Sequence, residues 1–210
     1  MCISDIRWKQ PFYEDAAPIK LREPLGEFLG ALPEGEELVF TYVDAVKFAG
    51  HSCPAVSGAY KITQKALEAL YGRDIPIRGE INVKVLGSVE HGANGPISQV
   101  ITFITGAAPE TGFAGLGGKF VRKNKLFFDE KNEEANTFIF TREDTKKSVK
   151  ITYHPERLPQ KDEMPGLFTK CIVQTASKEQ KEKFQKLWQE RVRAVLFEEV
   201  SGLFSVKHLK

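Results

Sequence analysis

Seven residues hold the scarce metal-ligating and nucleophilic chemistry of this chain: cysteines at 2, 53 and 171, and histidines at 51, 91, 154 and 208. His51 and Cys53 stand two apart in Gly50-His51-Ser52-Cys53-Pro54. In an extended segment that spacing turns both side chains the same way. A neutral imidazole and a thiolate are preferred ligands of zinc and similar ions. Pro54 suits the first position of a helix, where its missing N–H costs nothing. Cys53 then sits at a helix entrance, where the partial positive charge favours a thiolate.

His91 lies in Ser88-Val89-Glu90-His91-Gly92-Ala93-Asn94, just ahead of a second helix whose start is marked by Asn94-Gly95-Pro96. If the two helices lie side by side on one sheet, His51, Cys53 and His91 meet in one pocket. That is a three-ligand site with one open position, the arrangement of reactive metal centres. Glu90 or Asn94 then serves as a fourth ligand or supports one by hydrogen bonding. The remaining scarce residues read as structural. His154 precedes a proline at a strand end, Cys171 falls on an apolar helical face, and Cys2 and His208 have no partner in the pattern.

The elements that must position these residues are marked by periodicity and punctuation. Val56, Ala59, Thr63, Ala66, Leu67 and Leu70 recur at three and four, predicting a helix over 54–71 that Gly72 closes. Ile81, Val83 and Val85 alternate, predicting a strand over 79–87. A second helix is predicted from Asn94 to about Thr105. Residues 24–31 suit a short helix, 36–50 a strand region, and 119–129, 136–142 and 147–153 three further strands. The tail reads as helical in pieces, with Ser177 and Gln180 forming a capping box. Gly112-Phe113-Ala114-Gly115-Leu116-Gly117-Gly118-Lys119 looks like a phosphate loop, but a strand follows it where a helix is required. It reads as a flexible loop or lid, with Gly117 and Lys119 bordering the pocket. The irregular order of helices and strands predicts an α+β fold with a mixed or antiparallel sheet flanked by helices. Three regions are expected: an N-terminal arm with a short helix over 1–35, a metal-binding domain over 36–155, and a linker with a helical C-terminal extension over 156–210.

Composition narrows the partners. Thirty Lys and Arg against 28 Asp and Glu leave a net charge of +2, without the basic excess that nucleic-acid binding calls for. No run approaches the 18 or so apolar residues of a membrane span. Fifteen Phe and 41% hydrophobic residues support a folded core. Met1 to Arg7 lacks the pattern of a signal peptide. An odd, sparse set of cysteines is no disulfide framework, so a cytoplasmic location is expected.

The run Val46-Lys47-Phe48-Ala49-Gly50-His51-Ser52-Cys53-Pro54, followed by a helix rich in small residues, resembles the F-x-G-H-x-C-P-G signature of the FmdE-like proteins, a family named for formylmethanofuran dehydrogenase. The resemblance extends over roughly residues 40–155. Thr105-Gly106-Ala107 and Gly117-Gly118-Lys119 look like remains of a second family motif, T-G-C-T-x-G-K-G-N. The resemblance implies an α+β fold of the FwdE/GAPDH-like kind, a metal (commonly zinc) held by His51 and Cys53, and a homodimer. The chain departs from the family at Ala55, where a glycine is usual, and at Ala107, where a further cysteine is frequent. The family's C-terminal Cys-x-x-Cys zinc ribbon is absent from the sequence. The leading expectation is therefore a metal-binding accessory protein with a redox enzyme as partner. Two alternatives remain open at this point. One is a haem- or other cofactor-binding protein using the histidines and the Cys-Pro dipeptide. The other is a metal-free protein, either an interaction module or an enzyme with Cys53 as nucleophile.

Overall fold

The computed structural model describes residues 6–209, so Cys2 and the rest of the first five residues of the arm lie outside the described residues. Thirteen helices and strands are formed among the described residues, together with two single 3-10 turns. In chain order they are β1 (Ile19–Arg22), α1 (Pro24–Phe28), β2 (Glu37–Phe40), α2 (Tyr42–Ala49), α3 (Pro54–Tyr71), β3 (Ile81–Val85), α4 (Asn94–Thr105), β4 (Leu126–Phe128), β5 (Thr137–Arg142), β6 (Ser148–Tyr153), α5 (Met164–Ile172), α6 (Lys178–Leu196) and β7 (Phe204–Leu209).

The main sheet has five strands in the order β4-β3-β5-β6-β7. β3 and β4 run parallel and every other neighbouring pair is antiparallel, so the sheet is mixed. β1 and β2 form a separate antiparallel ribbon. The expected α+β architecture is what the chain adopts. Along β3, Ile81, Val83 and Val85 are sealed while Asn82 and Lys84 are partly exposed, the alternation of a strand with one buried face. α3 lies across β5, β6 and β7, and α4 lies beside it on β3. α2 packs against both helices, and α6 packs against α3.

Two contacts fix the direction of the central helices. Arg142, paired with Ile81 at the start of β3, donates to the Leu70 carbonyl at 3.3 Å, and its guanidinium lies 4.0 Å from the centre of the Tyr71 ring. The Gly79 N–H, just before β3, donates to the Thr105 carbonyl at 2.8 Å. Both helices therefore end where β3 begins, and both begin at the end of the sheet where β3 finishes.

Three segments differ from the sequence expectation. The strand expected over 36–50 stops at Phe40, and residues 42–49 are the helix α2. A capping box causes the switch. Thr41 Oγ1 accepts from the Asp44 N–H at 3.3 Å, and the Asp44 carboxylate accepts from the Thr41 N–H at 2.8 Å. Gly50, at φ +73°, closes α2 and turns the chain into the His51–Cys53 segment. The tail is helical through α5 and α6, but residues 204–209 form β7, which pairs with β6 over six residues. Of the strand expected over 119–129, only Leu126–Phe128 is formed.

Candidate metal centre

The His51–Cys53 segment joins the end of α2 to the start of α3. Exposure along it runs exposed, buried, half-buried, as expected when Ser52 faces inward and its neighbours turn away. Ser52 is held from both sides. Its hydroxyl lies 2.7 Å from the Tyr42 hydroxyl, and its carbonyl accepts from Trp188 Nε1 and Gln189 Nε2, both at 3.3 Å. Burial drives the Tyr42 phenol far above its ordinary range, so it stays protonated and remains a hydrogen-bonding hydroxyl. Gln189 also accepts from the Tyr13 hydroxyl at 2.8 Å, which ties the N-terminal arm to α6 across the motif.

His51 Nδ1 lies 2.9 Å from the Ala49 carbonyl oxygen. A carbonyl only accepts, so Nδ1 carries the proton, and in the neutral ring the lone pair is on Nε2. This is the tautomer that a ligating histidine needs, set by the kind of backbone contact that commonly orients such rings. His51 borders a groove of about 450 Å³ whose walls include Trp8, Tyr13 and Val46. Cys53 is the N-cap of α3, and its Sγ accepts from the Val56 N–H at 3.5 Å. A helix N-terminus directed at sulfur favours negative charge there.

His91 lies in the turn before α4, and its N–H donates to the Ser88 carbonyl at 3.2 Å. The two helix entrances do share one end of the sheet. However, α3 begins over β6, where the Tyr153 hydroxyl donates to the Pro54 carbonyl at 3.1 Å, while α4 begins beside β3. β5 stands between those strands, which sets the entrances about 10 Å apart. Among the described residues, no three His, Cys, Asp or Glu side chains come together to hold a metal ion. His51 and Cys53 both stand on the α2–α3 connection, and His91 is not gathered with them into such a group. Glu90 is exposed beside His91. Asn94 is sealed at the start of α4, where Nδ2 donates to the Ser88 carbonyl at 3.0 Å and Oδ1 has no partner. Gly117 and Lys119 are exposed in the loop after α4, at the opposite end of the sheet from Cys53. Ala107 is buried at that same far end. Even a cysteine there would be separated from Cys53 by most of the length of α3, about 25 Å for its 18 residues.

A zinc ion takes four ligands in a closed site. The donor types at His51 and Cys53 fit such an ion and their number does not fill it. Sequence reasoning missed the contribution of Tyr42, Trp188 and Gln189. Only folding brings α6 to Ser52, across 136 residues in the case of Trp188.

The family model described as FmdE, molybdenum formylmethanofuran dehydrogenase operon, matches residues 48–205. No curated protein matches the chain.

Proposed function

The chain belongs to the FmdE family, and from that membership we propose that it is a metal-binding accessory protein whose own ligands are His51 Nε2 and Cys53 Sγ. The observation that carries the reading is the His51 Nδ1 contact to the Ala49 carbonyl, which leaves Nε2 as the outward lone pair. The Val56 N–H directed at Cys53 Sγ supports it from the second donor. A thiolate with an imidazole suits zinc. Such an ion acts as a Lewis acid when bound. The further ligands come from a second copy of the chain, from a redox-enzyme partner or from a bound small molecule, and His91 is not required. Tyr42, Trp188 and Gln189 hold the backbone between the donors, so the site needs little reordering when the metal arrives.

Cobalt substitution tests this reading. The loaded protein is expected to show a thiolate-to-metal charge-transfer band that disappears in Cys53→Ser and weakens in His51→Ala. Metal content unchanged in the His51→Ala, Cys53→Ala double variant overturns the proposal, as does a Soret band in the purified protein without bound zinc.

A further inference from the structure

At the end of the sheet away from His51, a buried charge cluster is left one anion short. Glu23 and Arg122 are each only 7% exposed. One oxygen of Glu23 accepts from Arg78 Nη1 at 2.7 Å, and the other accepts from Arg122 Nη2. Arg78 is otherwise engaged: Nε and Nη2 donate to the carbonyls of Ile104 and Phe103, at 2.9 and 2.8 Å, capping the end of α4. Arg122 is not. Its Nε is sealed without a partner, and among the described residues Nη1 meets no acceptor. Two guanidiniums thus share one carboxylate, and the nitrogens without an acceptor both belong to Arg122: Nε, sealed against Gly79, and Nη1, against Gly106 in the wall of a cleft.

This placement is built into the backbone. Gly79 and Gly106 have φ of +87° and +75°, and a Cβ on either would collide with the Arg122 guanidinium. The glycines let that flat group lie against the chain. Burying a charge with unused donors is unfavourable unless something else satisfies them. Arg122 lines a cleft of about 430 Å³ whose other walls are mostly apolar, among them Leu25, Leu29 and Phe113. That volume falls within the range of small-molecule sites. Leu29 and Phe113 remain 62% and 42% exposed at its rim, with Phe28 and Phe120 in ring contact nearby. The glycine-rich loop over 112–118 closes back on this cluster, since the Arg122 N–H donates to the Phe113 carbonyl at 2.8 Å.

We infer that this cleft binds a small monocarboxylate with an apolar body, its carboxylate on Arg122 and its hydrocarbon on Leu25, Leu29 and Phe113. The neighbouring Glu23 disfavours a dianion, and the apolar walls disfavour a bare inorganic one. The site is independent of the His51–Cys53 pair and of any metal there.

Octanoate, below its micellar concentration, is the probe, with octanol and octylammonium as neutral and cationic counterparts and inorganic phosphate as the ion without a body. Titration calorimetry and melting of the full chain are expected to show saturable octanoate binding that raises Tm. Octanol, octylammonium and phosphate are each expected to bind at least tenfold more weakly. Arg122→Leu is expected to lower octanoate affinity at least tenfold. Because that variant leaves Glu23 with one partner fewer, the rim variant Leu29→Glu provides the second arm. It is expected to lower affinity tenfold with an unchanged unfolding midpoint, while His51→Ala leaves affinity intact. The inference is overturned if octanol or phosphate matches octanoate, if octanoate does not bind, or if Leu29→Glu binds it as the wild type does.

Discussion

Glu23 shows how a single side chain carries both a structural load and a pH dependence. Burial alone raises its pKa, but the hydrogen bond from Arg78 and the charge and hydrogen bond of Arg122 outweigh that and hold it below the ordinary 4.5. A carboxylate with a depressed folded-state pKa contributes stability that is fully present above the unfolded value and is lost as pH falls through the folded one. Stability against urea is therefore expected to decline below about pH 4.5, and Glu23→Gln is expected to flatten that decline. At pH 7 the same variant leaves two guanidiniums facing a neutral amide, and a loss of about 3 kcal/mol is expected. Unfolding midpoints measured from pH 3 to 7 on both proteins check the two statements together; parallel curves contradict them. At this scale His51 and Cys53 were legible in the sequence as a candidate pair, because their types and spacing carry chemistry without reference to anything distant. The Glu23–Arg78–Arg122 cluster was not, because its members lie 55 and 99 residues apart and each alone looks like an ordinary surface charge.

Elements are set one against another by a few close approaches, and α3 on β6 is the clearest. Gly58 is buried in the second turn of α3, where a Cβ would lie 2.6 Å from the Tyr153 ring. That ring cannot easily give way. Its hydroxyl donates to the Pro54 carbonyl, and its other face stacks on Phe204 with centres 5.1 Å apart. On helix propensity alone, Gly58→Ala should stabilise by about 1 kcal/mol. The collision is expected to win, with a net loss of about 1–3 kcal/mol, read as a lower urea midpoint with an unchanged slope. A midpoint above wild type would show that the helix can lift off β6 without cost. The spans of α3 and α4 were legible at this scale because helical periodicity coincides there with a proline or asparagine start and a glycine stop. The helix α2 was not legible, because Leu38 through Phe48 is rich in residue types that favour strands. Thr41 and Asp44 were the available signal, three apart and reciprocal.

For the molecule as a whole, the sheet is assembled from distant parts. β7 pairs with β6 across a pair of helices, and Leu203, just before it, is sealed in the core. Its outward side chains and distant partner leave no pattern in the sequence, whereas β3 announces itself by alternation. Deleting residues 203–209 is expected to cost at least about 3 kcal/mol from Leu203 alone. It should also remove hydrogen-exchange protection from the β6 amides, which amide exchange on the truncated chain measures; full protection at β6 would show that β7 is dispensable. The clamp on Ser52 also gathers the indoles of the molecule. The chain has two tryptophans. Trp188 donates to the Ser52 carbonyl, and Trp8 lines the groove beside His51. Both indoles therefore stand at one place. Intrinsic fluorescence in this protein is a local reporter of the motif, while far-ultraviolet dichroism follows the helices and the sheet. The two optical signals divide the molecule into the motif between α2 and α3 and the scaffold around it.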